Sequence, residues 1–312
     1  MVEKRVLVST DLMQCIGAFQ RGVLQDMLPL VSPAPDTRHR YRRWYAAHGA
    51  ARLPLLLKYM PHLAPLVILH AVAANHMHVL DALHLTIDDH DDLVAVAAAT
   101  GHVAAIVQLH AMEYMSGTNA AMVVAATHGH VNVVEYLVST RRSSKQQTSR
   151  AIVAAAQHGH LNVVQFLHVH LKSADASKAA VRMAAAHGHL HVVAWLHESG
   201  AHDWSSDAFT LAAAGGHLNV LAYMHRVKPR RGASKQAMDS AATSGHLHIV
   251  KFLHCYRPED GCTDKALEGA ASNGHKDVVE YLTMHRDQLI HAMCSACGFH
   301  KPRNHKCKVA GS

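Results

Sequence analysis

The chain has 312 residues, of which 49% are hydrophobic and only 5% aromatic, and its formal net charge is +7. It has no uninterrupted apolar run of 18 residues, so we expect no transmembrane helix and no membrane partner. The apolar run over residues 6–8 is too short for a secretion signal. We therefore expect an intracellular protein, cytoplasmic or nuclear, whose six cysteines are thiols or metal ligands.

Residues 1–43 precede the regular part of the chain and are predicted to form an N-terminal helical cap. One short helix is predicted after the capping residues 9–11 and a second over residues 23–28, before the helix-breaking Pro33 and Pro35. Such a pair can cover the apolar edge that every stacked array exposes at its first repeat. The helical pair also resembles an F-box, which docks some repeat proteins onto a ubiquitin-ligase adaptor.

A basic segment follows the prolines. Arginine and aromatic side chains together can bind single-stranded nucleic acid, but the same composition is typical of a polar linker that enters a helix. We favour the linker and do not expect a nucleic-acid partner, since the modest net charge does not require one. The segment consists of Arg38, Arg40, Arg42 and Arg43, interleaved with Tyr41, Trp44 and Tyr45.

From residue 44 to residue 291 the sequence repeats a unit of about 29 residues. The marker of each unit is a Gly-His pair, with Ala-Ala at four and three positions before the glycine. Two degenerate copies precede the regular ones, at Gly49 and at Asn75, which gives about nine repeats. The regular pairs, at steps of 28 to 30 residues, are Gly101-His102, Gly129-His130, Gly159-His160, Gly188-His189, Gly216-His217, Gly245-His246 and Gly274-His275.

Each unit is predicted to be two short helices, A and B, separated by the glycine, which suits the left-handed conformation that ends a helix. The alanine pair lets neighbouring helices approach closely. Helix B carries an apolar stripe at offsets of three residues, which in one copy is Leu190, Val193 and Leu196. A hydroxyl residue eleven positions before the glycine is predicted to cap helix A: Thr118, Thr148, Ser177, Ser205, Ser234 or Thr263.

The segment Ala-Ala-x-x-Gly-His-(Leu/Val)-x-Val-Val-x-x-Leu resembles the second half of the ankyrin repeat, and the resemblance recurs in phase over residues 44–291. The Thr-Pro-Leu-His that opens helix A in most ankyrin repeats is absent. The resemblance implies an all-α ankyrin-repeat solenoid of stacked helix-turn-helix pairs, of the divergent kind expanded in some protists. Repeats of about 29 residues instead of the usual 33 imply shortened β-fingers between the units.

The resemblance also implies a function, which is that of a scaffold or adaptor binding another protein on the concave face of the array. The alternative is a substrate-recruiting subunit of a ubiquitin ligase, docked through the F-box-like residues 1–43. We expect neither catalysis nor a small-molecule substrate, because the chain lacks the G-x-S-x-G and H-E-x-x-H motifs. The candidate partner-binding residues, on helix A and at the connections, are Asn119, Lys178, Arg182, Asp207, Lys235, Gln236, Asp264 and Lys265.

The chain contains 31 histidines, which raises the question of a metal site. The histidine after each glycine occurs once per repeat, and packed helices lie about 8–10 Å apart, whereas zinc ligands lie about 2 Å from one ion. The resemblance implies instead that these seven histidines tie each repeat to its neighbour by hydrogen bonds. A second set at the end of helix B favours the negative helix end when protonated: His84, His110, His168, His197, His225 and His254.

Residues 292–312 form a basic tail that contains cysteine and histidine. The C-x₂-C pair Cys294 and Cys297, with Cys307 and either His305 or His300, has the composition of a Cys₃His zinc site. This spacing resembles half of a zinc ribbon. Zinc is therefore the one cofactor that the sequence suggests, and the alternative is a disordered basic tail.

Overall fold

The computed structural model describes Met27, Leu30 and residues 36–79, 92–114, 118–140, 144–171, 174–200, 206–227, 235–256 and 261–285. These residues form seventeen α-helices and two short 3-10 helices and include no β-strand, which confirms the all-α fold. The chain divides into two compact units, residues 1–121 and residues 122–312. The boundary expected between residues 43 and 44 lies inside the first helix, Thr37–His48.

The first unit is built around short helices that bury Tyr41 and Trp44. Pro54 does not interrupt its helix, because it lies in the first turn, where the missing N–H has no intrahelical partner in any case. The α-helices are α1 (Thr37–His48), α2 (Leu53–Tyr59), α3 (Ala64–Ala73), α4 (Leu93–Thr100), α5 (Val103–Ala111) and the start of α6 (Thr118–Thr127), with 3-10 turns at Ala50–Arg52 and Pro61–Leu63.

The second unit stacks helix pairs in two layers. From α4 onward, each even-numbered helix is helix A of a repeat and the next helix is helix B. Within the unit, α8, α10, α12, α14 and α16 contact one another in that order and form one layer. The helices are the rest of α6, then α7 (Val131–Ser139), α8 (Lys145–Gln157), α9 (Leu161–Leu171), α10 (Ala174–Ala186), α11 (Leu190–Glu198), α12 (Ser206–Ala214), α13 (Leu218–Val227), α14 (Lys235–Thr243), α15 (Leu247–Tyr256), α16 (Asp264–Ser272) and α17 (Lys276–Met284).

The alanine pairs are core residues, as the repeat pattern predicts. Both alanines are fully buried in the six regular repeats from Gly101 to Gly245, whereas Ala271 in the last regular repeat is exposed. On helix B the predicted stripe is partly wrong. In α11 the buried residues are Val192, Val193 and Leu196, whereas Leu190 is only half-buried. The buried face therefore begins two residues later, at Val192, than the spacing of leucines suggests.

Every marker glycine ends helix A in the left-handed conformation, which confirms its predicted role. Gly188 has φ 77°; its N–H donates to the Ala185 carbonyl at 3.3 Å and the His189 N–H donates to the Ala184 carbonyl at 2.9 Å. This pair of bonds is a Schellman motif. Asn75, with φ 58°, ends α3 in the same way.

The predicted helix caps are correct in one repeat and wrong in two. Thr263 caps α16 and accepts from the Lys265 N–H at 3.3 Å. Thr148 lies inside α8, which begins earlier with Ser144 and Gln147 in a reciprocal capping box. Ser177 lies inside α10 and is buried. Ser205 and Ser234 lie outside the described residues, and Thr118 is the first residue of α6.

Successive repeats of the second unit interlock through the histidine that follows each glycine. The Nε2–H of this histidine donates to a backbone carbonyl in the last turn of the preceding helix A. Because a carbonyl oxygen only accepts, the histidine must carry its proton on Nε2. The ring also lies flat against the preceding glycine: a Cβ on Gly188 would be 2.4 Å from Nδ1 of His217. The hydrogen bonds are His160 to Thr127 (2.9 Å), His189 to Gln157 (2.8 Å), His217 to Ala186 (3.1 Å) and His246 to Ala214 (3.0 Å).

The last two glycines allow the interlock to be tested. A Cβ on Gly245 would be 2.5 Å from Nδ1 of His275, whereas a Cβ on Gly274 would meet no atom of the described residues within 4 Å, and the two have nearly equal φ of 79° and 76°. Both Gly→Ala substitutions incur about 1–2 kcal/mol for the left-handed conformation. We expect Gly245→Ala to lower the free energy of unfolding by more than Gly274→Ala, because only Gly245→Ala also displaces an imidazole.

Urea unfolding followed by circular dichroism measures the two losses. Repeating both substitutions in a His275→Ala background is the control, and there the excess loss at Gly245 should largely disappear. Equal losses in the wild-type background, or an excess that persists without the imidazole, would contradict the steric explanation.

Candidate functional site

The candidate partner-binding residues of the second unit lie on its layer of A helices. Lys178 and Arg182 are exposed one turn apart on α10, and Asp207 is exposed near the start of α12. Lys178 lies 3.7 Å from Asp175, and such a solvent-exposed ion pair contributes little to stability. Gln236, Asp264 and Lys265 are also exposed, and Lys235 is half-buried. The side chain of Asn119 lies outside what the structure describes.

Two of these residues come together in a groove of about 380 Å³ between α12, α14 and α16, which we call the polar groove. Gln236 lies on its α14 side and Lys265 on its α16 side. The other predicted residues do not line it. The complete lining is Ala214, Gln236, Asp239, Ser240, Thr243, Ser244 and Lys265.

Asp239 fixes the relative position of α14 and α16. Its Oδ1 accepts from the Thr263 N–H at 2.8 Å and its Oδ2 accepts from the Thr263 hydroxyl at 2.7 Å. Gly269 also allows α16 to approach α14. A Cβ at this position would overlap the hydroxyl of Thr243, which lies one turn after Asp239 on α14. The Asn273 amide donates to the Thr243 carbonyl at 2.8 Å. The groove wall is therefore held by directional bonds as well as by apolar packing.

The groove offers hydrogen bonds and one positive charge. The Asp239 carboxylate is already engaged by Thr263, and the Thr243 hydroxyl donates to the Asp239 carbonyl at 2.8 Å. The Gln236 amide and the Ser244 hydroxyl belong to exposed residues, Ser240 is half-buried, and the Lys265 ammonium lies across from them. This set can bind polar groups and a carboxylate. It includes no histidine or cysteine.

Sequence reasoning missed the central residues of the groove, although a signal was present. Residues 236, 239, 240, 243 and 244 follow helical spacing and are all polar. The equivalent positions of the preceding helix include Leu211 and Ala214. A comparison of repeats, position by position, would have identified α14 as the helix A whose outward stripe is polar throughout.

The histidines of the second unit bind different neighbours and do not converge. Among the described residues no group of three or more histidines, cysteines or acids could hold a metal ion. His187 Nε2 accepts from the Gln157 amide at 3.4 Å and its Nδ1–H donates to the Met183 carbonyl, whereas His191 donates to the Gly159 carbonyl at 2.8 Å. The proposed zinc residues Cys294, Cys297, His300, His305 and Cys307 lie outside the described part of the chain.

The histidines at the end of helix B contact the next repeat. His168 shares a hydrogen bond with Ser177, 3.2 Å apart, so the recurring hydroxyl is here a partner of the preceding histidine and not a cap. Four of these histidines also meet the aromatic residue of the next helix B edge-on. The ring centroids are 5.4 Å apart for His168–Trp195, 6.5 Å for His197–Tyr223, 6.0 Å for His225–Phe252 and 5.9 Å for His254–Tyr281.

The first unit does not present its aromatic residues to nucleic acid. Tyr41 and Trp44 are only 1% and 4% exposed, so neither ring is available for stacking on bases. Arg38, Arg42 and Arg43 are exposed on the same helix. The alternation of arginine and aromatic residues therefore reflects an amphipathic helix whose aromatic side faces the core.

With this geometry in place, comparison with known families gives a match. A model of ankyrin repeats in many copies matches residues 181–225 and 238–283, which include α11 to α13 and α15 to α17 and most of the polar groove. No curated protein matches the chain. The matched segments are ankyrin repeats. Ankyrin repeats generally bind other proteins, which supports a role in protein–protein interaction. None of the helices in the described segments has the length and apolarity of a membrane crossing.

Asp239 should matter more for stability than an exposed aspartate on the same layer. Asp239→Ala removes both acceptors of Thr263, and we expect a loss of about 1–3 kcal/mol in the free energy of unfolding. Asp207→Ala is the matched control, for which we expect less than about 1 kcal/mol. Urea unfolding measures both, and hydrogen exchange of the Thr263 amide should accelerate only in Asp239→Ala. Similar losses for the two variants would show that the Thr263 bonds are unimportant.

We expect acid to lower the stability of the array, because His189 and His217 pack against the preceding repeat. Burial is the main cause that lowers the pKa of His189 and of His217, and neighbouring histidines lower both further, against a backbone hydrogen bond that raises each one. The unfolded chain therefore takes up protons near pH 6.5 that these two sites resist. Their contribution to stability is complete above pH 6.5 and is lost as the pH falls through that value.

We accordingly expect the melting temperature to fall between pH 7.5 and pH 5.5. A His189→Gln, His217→Gln double variant should show a shallower dependence on pH over this interval, whatever its absolute stability. A flat profile for the wild-type protein, or an unchanged slope in the double variant, would count against these histidines as the acid-sensitive groups.

Proposed function

We propose that this ankyrin-repeat protein is a scaffold that holds a segment of another protein in the polar groove. The observation that supports the proposal is the polar stripe of α14, which faces the groove with hydrogen-bonding groups from Gln236 to Ser244. Alanine and the other residues that recur at the same position of each repeat are used where neighbouring repeats pack together. Polar residues that replace apolar ones along one helix are available for a partner instead.

The dimensions of the groove favour a peptide segment. Residues 236 to 244 rise about 12 Å along α14 at 1.5 Å per residue, which is the length of three to four residues of extended chain. Small-molecule sites are predominantly apolar, whereas six of the seven residues that line the polar groove are polar. Lys265 adds a preference for an acidic side chain in the segment.

Affinity purification from native cells with mass spectrometry tests the proposal. Three proteins are compared. They are the wild type, a double variant that carries both Gln236→Ala and Lys265→Glu (the groove variant), and a control that carries Lys276→Glu. Lys276 is exposed on α17, outside the groove. We expect the groove variant to lose at least tenfold of one stoichiometric partner, because the variant removes an amide and reverses the one positive charge of the lining, while the control retains the partner.

All three proteins must first show the same helical content and melting temperature, so that lost binding reflects the surface. A partner retained in full by the groove variant would place the binding face elsewhere. A partner lost equally by the control would indicate a general effect of charge.

Recruitment to a ubiquitin ligase through residues 1–43 stays a prediction, since most of these residues lie outside the described part of the chain. A truncation that tests it should stop before Thr37. Removing residues 37–43 would also remove Tyr41 from the core of the first unit.

A further inference from the structure

The first unit contains a second cavity, of about 260 Å³, between α1, α3 and α4. Leu66, Leu69 and Ala73 of α3 form one side of it, and Val96 of α4 forms another. These four residues are half-buried, so their apolar surface is partly open to the cavity. The volume is below the roughly 300–1,000 Å³ of drug-sized sites, which limits the occupant to a small group.

The remaining wall is polar and carries only positive charge. Arg38 and Arg42 both line the cavity and are exposed one turn apart on α1. No carboxylate is among the lining residues. His70 completes this wall, and burial, together with His76 and Arg42, lowers its pKa. It is therefore neutral at pH 7, and the positive charge comes from the two guanidinium groups.

Tyr41 adds a donor without a partner. Its side chain lines the cavity and is 1% exposed, and its hydroxyl has no hydrogen bond among the described residues. Burial and the neighbouring Tyr45 raise the pKa of this phenol, so it keeps its proton. The His70 ring meets the Tyr41 ring edge-on at 5.2 Å and supports it. A buried hydroxyl without an acceptor is unfavourable, and an acceptor delivered by a ligand would relieve this.

We infer that this cavity binds a carboxylate carried on a short branched apolar group. The apolar wall would hold the aliphatic part, and the two guanidinium groups would receive the carboxylate, for which their planar donors are suited. A phosphate bears no apolar part that would use the leucine and valine surface. The ligand chemistry occurs in free aliphatic acids and at the C-terminus of proteins that end in an aliphatic residue. The inference concerns the first unit and does not depend on the polar groove.

Calorimetric titration of the full chain tests the chemistry with two matched probes, N-acetyl-leucine and N-acetyl-leucinamide. They have the same apolar group and differ in the carboxylate. We expect the acid to bind at least tenfold more tightly than the amide. The Arg38→Gln, Arg42→Gln variant should weaken binding of the acid at least tenfold, whereas Arg43→Gln should change it by less than twofold, because Arg43 is exposed on the same helix but does not line the cavity.

A second variant tests the location without removing charge. Ala73→Leu fills the apolar side, and we expect it to abolish binding of N-acetyl-leucine while Arg38 and Arg42 remain. If this variant unfolds, the arginine variants still decide the question. Equal affinity for acid and amide, no measurable binding of either probe, or unchanged binding by the double arginine variant would overturn the inference.

An eight-residue peptide that ends in leucine distinguishes the two sources of the carboxylate. Affinity at least tenfold tighter than that of N-acetyl-leucine, and lost when the peptide is C-terminally amidated, identifies a protein C-terminus as the ligand. Equal affinity for the peptide and for N-acetyl-leucine identifies a free aliphatic acid. Both results support the chemistry of the cavity.

Discussion

The contact between the glycine of one repeat and the imidazole of the next holds the second unit together. A helix leaves its last carbonyls without intrahelical donors, and in this chain the next repeat supplies one. The Nε2–H of His189 reaches the Gln157 carbonyl, and its ring lies flat on Gly159. Glycine is thus required twice, for its positive φ and because the ring occupies the space of a Cβ. The His189 side chain therefore bonds a carbonyl at the end of the preceding helix A and fixes the position of its own repeat against it.

The close packing of the A helices follows from this interlock. Because the histidine sets the distance between successive helix ends, only small side chains fit between the helices, and both alanines of each pair are fully buried in the repeats from Gly129 to Gly245. In the last described repeat, other residues also bring the A helices close together. Asn273 donates to the Thr243 carbonyl, and Gly269 provides the close approach. Asp239 then bonds the start of α16 to α14, which gives the polar groove a defined wall.

The features that could be predicted from the sequence are those that recur in phase. The marker glycines and the alanine pairs are predictable because each occupies the same position in every regular repeat, and the burial differs only in the last one, where Ala271 is exposed. Predictions of helix caps were wrong where the same residue type can occupy more than one position at the start of a helix. A hydroxyl in the first turn can cap a helix, as Thr263 does, or lie inside it, as Thr148 and Ser177 do. The spacing of Ser144 and Gln147 fits a capping box, but the in-phase position of Thr148 predicts a cap four residues later.

The polar groove could not be predicted in full, because it depends on contacts between residues far apart in the chain. Asp239 and Thr263 are 24 positions apart, and no periodicity links them. A similar reason hid the cavity of the first unit. The arginines of α1 were assigned to a linker or to nucleic acid, and only the packing of α1 against α3 places them beside an apolar wall. The same packing buries Tyr41 and Trp44, two of the three aromatic residues whose spacing is typical of base stacking.

Repetition itself indicates where recognition can occur in such a protein. A position that is the same in every repeat serves an interaction that every repeat makes, and in this chain those interactions are helix ending, stacking and core packing. Chemical selectivity needs groups that one repeat has and its neighbours lack. The polar stripe of α14 is one such departure, and the arginine pair of α1 above an apolar wall is another. The 31 histidines are prominent in the composition, yet those that recur in phase are used to hold repeats together, whereas the least repetitive polar residues remain free to contact a ligand.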